Sequence, residues 1–163
     1  MDTRTIDLQD LRERYRAWAV DGIPYVYRGL PGALIRRMQQ RVAAALTRQF
    51  EAHGSDLTPM QYTVLAGVYI HAPAIEQGAL ADNISYDRAT IGGVVDRLEK
   101  KELVQRQPSP VDRRVRLLTI SDAGVELLER LEPAVLLAQD EILDPLTERQ
   151  RDQLTQLLRR IVL

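Results

Sequence analysis

Residues 85–120 read SYDRATIGGVVDRLEKKELVQRQPSPVDRRVRLLTI and contain two different periodic patterns in succession. Its first half carries apolar residues at helical spacing, which are Ile91, Val94, Val95 and Leu98. That spacing predicts a helix with one face against the core. After Lys101 the chain changes to two short segments rich in β-branched residues, 103–107 and 114–120, joined by the loop 108–113. These segments predict a β-hairpin with a polar loop at its tip.

Helical periodicity predicts further helices before this stretch. An amphipathic helix is predicted over about 31–52, and Gly54 ends it. Thr58 followed by Pro59 predicts the start of a second helix. The segment 76–83 predicts a short third helix, and Ser85 is predicted to cap the helix that follows.

Two more helices are predicted after the hairpin. Ser121 caps the first of them, and Pro133 inside it predicts a kink or a local break. Thr147, with Gln150 three residues later, resembles a capping box for the last helix. That last helix carries apolar residues at helical spacing, which are Leu154, Leu157, Leu158 and Ile161.

Length and composition exclude several classes of protein. With 163 residues, 45% of them hydrophobic and 28% charged, the chain corresponds to one ordinary globular domain with room for an appendage. The absence of cysteine excludes disulfide scaffolds, thiol nucleophiles and cysteine-ligated zinc. The sequence also lacks a glycine-rich loop that could bind phosphate, a nucleophile elbow, and a cluster of histidine and carboxylate residues at the spacing of metal ligands. We therefore expect no enzyme, no cofactor and no metal.

The N-terminal residues and the hydropathy of the chain indicate where in the cell the protein is found. Charged residues follow Met1 every few positions, so the apolar stretch of a secretory signal is missing. No run approaches the roughly 18 apolar residues that a membrane span requires. We therefore expect a cytoplasmic protein without membrane contact.

The charge of the chain is unevenly distributed. Its net charge is −1, yet residues 85–120 contain eight basic and five acidic side chains and so carry +3. A local basic excess is typical of a protein that binds a polyanion. A solvated helix face would explain it equally well.

Two short helices followed by a hairpin with an arginine-bearing loop is the order of a winged helix-turn-helix. In that arrangement the second helix enters the major groove of DNA, and the hairpin loop reaches the adjacent backbone or minor groove. The residues from about 31 to 163 resemble the MarR-type transcriptional regulators. The motifs that carry this resemblance are Asp87-Arg88-Ala89-Thr90-Ile91, Val95 to Lys101, Leu103-Val104, Asp112-Arg113-Arg114, Leu118 to Ser121, and Gly124.

The resemblance implies a mainly α fold with a small β-hairpin wing. The winged helix-turn-helix would span about 57–120, with dimerisation helices over about 31–53 and 121–163. Residues 1–30 are an N-terminal extension that we expect to be helical and to join the dimer interface. Such a homodimer would read two half-sites of a pseudo-palindromic operator in double-stranded DNA.

The recognition helix is predicted to contact DNA through its first turn. Residues at that end face the groove, so we expect Asp87, Arg88 and Thr90 to meet base edges or nearby phosphates, with Ser85 just before them. Arg88 can donate two hydrogen bonds to guanine. Arg97 lies further along the same helix and is a further candidate for DNA contact.

The wing is predicted to contact DNA through its loop. Arg113 at the tip is the candidate for insertion into the minor groove, where negative potential is concentrated. Ser109 and Arg114 are expected to contact phosphates. The resemblance implies that Arg97 pairs with Asp112 and orients the wing.

The sequence departs from the family pattern at two places. Glu102 stands where the family usually has glycine, and a non-glycine residue in the left-handed conformation costs on the order of 1 kcal/mol. Gly92 and Gly93 replace a polar or basic pair, which predicts fewer base contacts or a closer approach of the backbone. For Arg106 and Arg116, a plain surface role and a functional role are equally supported.

Members of this family commonly bind small aromatic acids, and such an effector lowers operator affinity. This sequence most resembles regulators of nicotinate-type catabolism. Tyr25, Tyr27 and Tyr62 offer stacking and hydroxyl groups, although Tyr62 fits a core position equally well, and Arg36 or Arg37 could bind a carboxylate.

The expected function is a dimeric DNA-binding regulator, a repressor that a small aromatic carboxylate releases. The alternative is a winged-helix protein-interaction module without specific DNA binding. The only sequence feature that favours this alternative is the pair Gly92 and Gly93. Retention of the arginines of the recognition helix and the wing argues against that alternative.

Overall fold

The computed structural model describes residues 9–10, 12–13, 19–20, 23–24 and 30–162. The chain forms two compact units, residues 1–43 and 44–163. None of the helices in the described part of the chain has the length and apolar character needed to cross a lipid bilayer.

The first unit contains a short strand pair as well as helix. Residues 9–10 and 12–13 are helical, as predicted for the extension. Strand β1 (Ala19–Val20) pairs antiparallel with β2 (Ile23–Pro24), so the prediction of a helical extension is wrong for these residues. The β-branched Val20 and Ile23 favour strand over helix, which accounts for the difference.

The long helix α1 (Pro31–Ala52) begins in the first unit and ends in the second. Its end carries Gly54 with a φ of 69°, the left-handed conformation that ends many helices. The Ser55 amide donates to the Phe50 carbonyl at 2.9 Å, and the Gly54 amide donates to the Glu51 carbonyl at 3.0 Å. These two bonds form a Schellman motif, which confirms that the helix stops at Gly54.

The second unit is a winged helix-turn-helix followed by two helices. Its elements in chain order are α2 (Pro59–Ile70), β3 (Ile75–Glu76), α3 (Gln77–Asn83), α4 (Arg88–Lys100), β4 (Val104–Pro108), β5 (Arg116–Ile120), α5 (Asp122–Leu143) and α6 (Glu148–Val162). The three strands form one antiparallel sheet in the order β3-β5-β4. The predicted mainly α fold with a hairpin wing is confirmed.

The two hairpin strands pair along their whole length, whereas β3 adds only two residues beside Leu117 and Leu118 of β5. In the hairpin register, Val104 lies opposite Ile120 and Pro108 lies opposite Arg116. Ile75 of β3 lies opposite Leu118. Two residues are too few to show a period in the sequence, so β3 was not predicted.

The core of the second unit lies between the helices and the sheet. The four apolar residues of α4 that were predicted to face it are all buried. The largest fully buried side chains include Phe50, Leu65, Leu80, Ile91, Leu98, Leu118 and Leu131. Truncating one such leucine to alanine costs about 2–5 kcal/mol, so this core fixes the position of α4 and of the hairpin base.

Helix α5 begins as predicted but does not break at Pro133. The Ser121 hydroxyl accepts from the Gly124 amide at 3.1 Å, which caps the helix. A Cβ on Gly124 would lie 2.4 Å from the Leu103 carbonyl oxygen, so only glycine allows this close approach to the hairpin base. The helix continues through Pro133 because Leu131 and Ala134 on either side are fully buried and hold the backbone in place.

Helix α6 starts with one of the two hydrogen bonds of the predicted capping box. The Thr147 amide donates to Gln150 Oε1 at 2.9 Å. None of residues 148–162, all of which the structure describes, is buried.

Candidate DNA interface

Helix α4 of the winged helix-turn-helix presents its polar face to solvent. The face opposite the core carries exposed residues, which are Arg88, Ala89, Thr90, Gly93, Asp96, Arg97 and Lys100. Three of these side chains are cationic. The predicted recognition face is therefore accessible to a large polyanion.

Asp87 is the N-cap of α4, and this corrects the prediction for Ser85. Asp87 Oδ1 accepts from the Thr90 amide at 2.8 Å, and Oδ2 accepts from the Thr90 hydroxyl at 2.5 Å. The hydroxyl and the amide of Thr90 lower the pKa of the Asp87 carboxyl. Both side chains are thus engaged in starting the helix.

Ser85 ends the preceding helix instead. Its φ is 58°, its amide donates to the Asp82 carbonyl at 3.2 Å, and the Tyr86 amide donates to the Ala81 carbonyl at 3.0 Å. These bonds form a Schellman motif with a serine in the left-handed position. A serine in that conformation cannot also take the extended conformation of an N-cap.

Arg88 lies across α3 at the start of the recognition helix. Its Nη2 is 3.3 Å from Asp82 Oδ2, and both side chains are largely exposed. A Cβ on Gly78 would lie 3.6 Å from the Arg88 guanidinium carbon, so the guanidinium passes over a position without a side chain. An exposed pair of this kind is weak, so Arg88 can turn toward a base at little cost.

The two glycines of α4 differ in their surroundings. A Cβ on Gly92 would lie 3.6 Å from Gln77 Nε2, whereas a Cβ on Gly93 would meet nothing within 4 Å. Gly93 therefore leaves the helix backbone uncovered on the exposed face. The predicted close approach of this backbone to DNA requires such a surface.

The wing loop is organised by Asp112 and Ser109. Asp112 Oδ1 accepts from the Arg114 amide at 2.9 Å, and the Arg114 guanidinium donates to both carboxylate oxygens, from Nε to Oδ1 at 3.2 Å and from Nη2 to Oδ2 at 3.1 Å. Arg114 lowers the pKa of the Asp112 carboxyl. The Ser109 hydroxyl accepts from the Val111 amide at 3.3 Å.

Two predictions for the wing are corrected by these contacts. The partner of Asp112 is Arg114 and not Arg97, because a residue two positions away supplies both its amide and its side chain. Ser109 is buried within the loop, where its hydroxyl supports the turn instead of facing outward to a phosphate. Arg113 is exposed at the tip, and no ion pair of its side chain occurs among the described residues.

Arg106 joins the wing to the recognition helix. Its Nη2 donates to Asp96 Oδ1 at 2.7 Å and lies 3.5 Å from the Gly92 carbonyl oxygen. Its Nε is 3.5 Å from Glu99 Oε2, a contact between charges without a hydrogen bond. The sequence predicted no partner for Arg106, since a contact between strand and helix depends on how the two elements pack.

The predicted effector residues lie in different parts of the chain. Tyr25 and Tyr27 are outside the described residues, and Arg36 and Arg37 are exposed on the part of α1 that belongs to the first unit. Tyr62 is half-buried in the second unit, with its ring centroid 5.2 Å from that of Phe50. Burial, and then the negative charge of Glu132, raise the pKa of the Tyr62 phenol.

The sequence was compared with those of known proteins. The sequence profile of the MarR family matches residues 57–115. The HTH-type transcriptional repressor NicR of Pseudomonas putida is 32% identical over 143 residues, which cover 88% of this chain and 89% of NicR. The chain belongs to the MarR family. The resemblance found in the recognition helix and the wing is thereby confirmed.

Solved structures of MarR-family regulators share the fold. A mutant of the Escherichia coli MarR protein in complex with operator DNA matches with a TM-score of 0.74 and 26% identity, over 81% of this chain and 93% of that chain. The BpsR regulator of Bordetella bronchiseptica, whose DNA binding is regulated by 6-hydroxynicotinic acid, matches with a TM-score of 0.73 and 28% identity, over 80% of this chain and 96% of that chain.

As a member of the MarR family, the protein is a transcriptional regulator and not an enzyme. No group of three histidine, aspartate or glutamate side chains among the described residues is placed to hold a metal ion.

Proposed function

We propose that this MarR-family protein is a dimeric repressor that binds a pseudo-palindromic operator and is released by a small aromatic acid. The observation that carries the proposal is the pairing of an exposed cationic face on α4 with an exposed Arg113 at the wing tip. A helix in the major groove and an arginine in the adjacent minor groove give base contacts and shape recognition together. The MarR structure with operator DNA supports this assignment.

The proposed DNA contacts are distributed over both elements. Arg88 reads a base edge at the start of α4, and Arg97 contacts the backbone further along. Arg113 enters the minor groove, and Arg114 contacts a phosphate while it remains bound to Asp112. Asp87 and Thr90 act mainly through the start of the helix, which sets the direction of Arg88.

The dimer is proposed to form through the last two helices. Helix α6 exposes a row of apolar side chains, which are Leu157, Leu158, Ile161 and Val162. Leu136 and Leu137 of α5 are also exposed. Burying a leucine or isoleucine stabilises an interface by about 1.5–3 kcal/mol, so this surface favours association. A two-fold dimer places one recognition helix on each half-site.

The effector is proposed to be an N-heteroaromatic or related aromatic carboxylate. The similarity to NicR and to BpsR supports this chemical class. In the first unit, Arg36 or Arg37 is a candidate to hold the carboxylate in a bidentate pair. In the second unit, Tyr62 is a separate candidate: its raised pKa keeps the phenol a hydrogen-bond donor at neutral pH, and Glu132 disfavours a carboxylate beside it.

The test is a fluorescence-anisotropy titration of the purified protein with the intergenic DNA beside its own gene. Two salt concentrations, random DNA of equal length, and a panel containing 6-hydroxynicotinate and salicylate complete the design. We expect specific, salt-sensitive binding that one acid relieves. Binding no tighter than that to random DNA would contradict the proposal and favour a protein-interaction module.

A further inference from the structure

The sheet supports the wing hairpin from the side of β5 only. Strand β3 pairs with Leu117 and Leu118 of β5, whereas β4 is an edge strand that pairs with β5 alone among the described strands. The loop that carries Arg113 lies beyond the last ladder pair, Pro108 and Arg116. The position of Arg113 therefore depends on contacts that fix β4 to the rest of the lobe.

Arg106 on β4 supplies such a contact. The three groups it meets are the Gly92 carbonyl, Asp96 and Glu99, which follow one another at helical spacing along one side of α4. The Arg106 side chain is only 23% exposed, whereas those of most other arginines of the lobe are largely exposed. A planar guanidinium holds its donors in a rigid fork and so fixes the geometry of these contacts, whereas an ammonium on a flexible stem does not. We call these four residues the wing clamp.

We propose that Arg106 is a positioning residue for DNA recognition, because the wing clamp fixes the angle at which Arg113 meets DNA when α4 lies in the major groove. This inference rests on the proposed function. Arg106 itself need not touch DNA, since its guanidinium is turned toward α4.

Asp96→Asn separates positioning from simple electrostatics by the sign of its effect. The substitution removes a negative charge from the face that meets DNA, so electrostatics alone would tighten binding. The 2.7 Å contact to Arg106 is weakened, because an amide oxygen is a poorer acceptor for a guanidinium than a carboxylate. The wing is then held less firmly, and we expect operator affinity to fall about threefold to tenfold. Asp96 is largely exposed, so this variant is expected to fold. Glu129→Gln, at an exposed position on α5, is the matched control and should not weaken binding.

A double-mutant cycle with Arg113→Ala provides a readout that a general loss of stability would not change. In the Arg113→Ala background, Asp96→Asn should cost clearly less than in the wild-type protein, because Arg113 is gone and only the phosphate contact of Arg114 still depends on the position of the wing. Arg106→Lys keeps the charge but loses the fork, so it should behave like Asp96→Asn. Thermal unfolding of every variant shows whether it is folded. If Arg106→Lys fails to fold, Asp96→Asn alone tests whether Arg106 positions the wing.

The outcomes distinguish the clamp from the proposed function. Weaker binding by Asp96→Asn that becomes clearly smaller in the Arg113→Ala background supports the clamp. Unchanged or tighter binding, or a loss that adds fully to that of Arg113→Ala, overturns it while leaving operator binding established for the unmodified protein. Failure of the unmodified protein to prefer operator over random DNA overturns both.

Discussion

Asp87 receives both hydrogen bonds that Thr90 can direct to it, from the amide at 2.8 Å and from the hydroxyl at 2.5 Å. The start of the recognition helix therefore depends on one carboxylate. An N-cap side chain satisfies a backbone donor that the helix leaves open, and a negative charge there interacts favourably with the helix dipole. Stability and DNA recognition are thus linked at the first turn of α4.

Replacing Asp87 by alanine should lower the melting temperature, whereas asparagine should preserve most of the cap. The carboxyl has a lowered pKa in the folded protein, against an ordinary value of 3.8. Its contribution is therefore fully present above that value and is lost as the pH falls through the lower folded pKa. Thermal unfolding of the wild-type protein and Asp87→Asn between pH 7 and pH 3 should show the two curves converging at acid pH. A constant difference would mean that the charge of Asp87 contributes nothing.

Glu102→Gly should stabilise the protein by about 1 kcal/mol. Glu102 has a φ of 59° at the end of α4, where its amide donates to the Glu99 carbonyl at 2.9 Å and the Leu103 amide donates to the Leu98 carbonyl at 3.0 Å. Glycine adopts this conformation without strain. Urea unfolding measures the change, and Gly54→Ala, the reverse substitution in the same motif, should destabilise by a similar amount. A Glu102→Gly variant less stable than wild type would show that the Glu102 side chain contributes more than the strain costs.

Arg113→Ala should weaken operator binding by roughly 1–3 kcal/mol and reduce the salt dependence by about one ion. The expected loss follows from the position of Arg113 at the tip of the wing, where a narrow minor groove attracts arginine. Anisotropy titrations at several salt concentrations measure both effects. Arg130→Ala, an exposed arginine on α5, is the control. Equal affinity of the Arg113 variant and wild type at matched salt would remove Arg113 from the interface.

Ile161→Asp should convert the proposed dimer to monomer and abolish tight operator binding. Ile161 is 73% exposed in the single chain, so a charge there does not disturb the core of its own subunit. In the dimer it would bury an unpaired carboxylate, which is strongly unfavourable. Analytical ultracentrifugation gives the oligomeric state, with the polar Gln156→Asp on the same helix as control. A dimer that survives the substitution would place the interface elsewhere.

The sequence predicted those parts of the fold that rest on long, regular patterns. The core face of α4, the hairpin and the helices on both sides have a clear period, and the structure confirms them. The two-residue β3 has no period, and the helical continuity of α5 through Pro133 depends on the burial of its neighbours Leu131 and Ala134. Sequence propensity alone therefore does not determine these features, because tertiary packing decides them.

The sequence also predicted only part of the candidate site. The exposed arginines of α4 and the wing follow from the motif, but the partners of Asp112 and Arg106 do not. Asp112 binds a neighbour two residues away, and Arg106 binds three groups that the packing of β4 against α4 brings together. Side-chain pairs between elements require the register and the crossing geometry, which a single sequence does not contain.

Helix α6 has 15 residues and buries none of them, and all 15 lie within the described part of the chain. Isolated helices of about this length are marginal in water, so α6 must obtain its stability from a surface outside itself. If a second copy provides that surface, helix formation and association become one equilibrium. Diluting the protein should then increase amide hydrogen exchange in α6 before exchange in α4 changes. The cellular concentration of the regulator would thereby set the fraction of molecules whose C-terminal helix is formed.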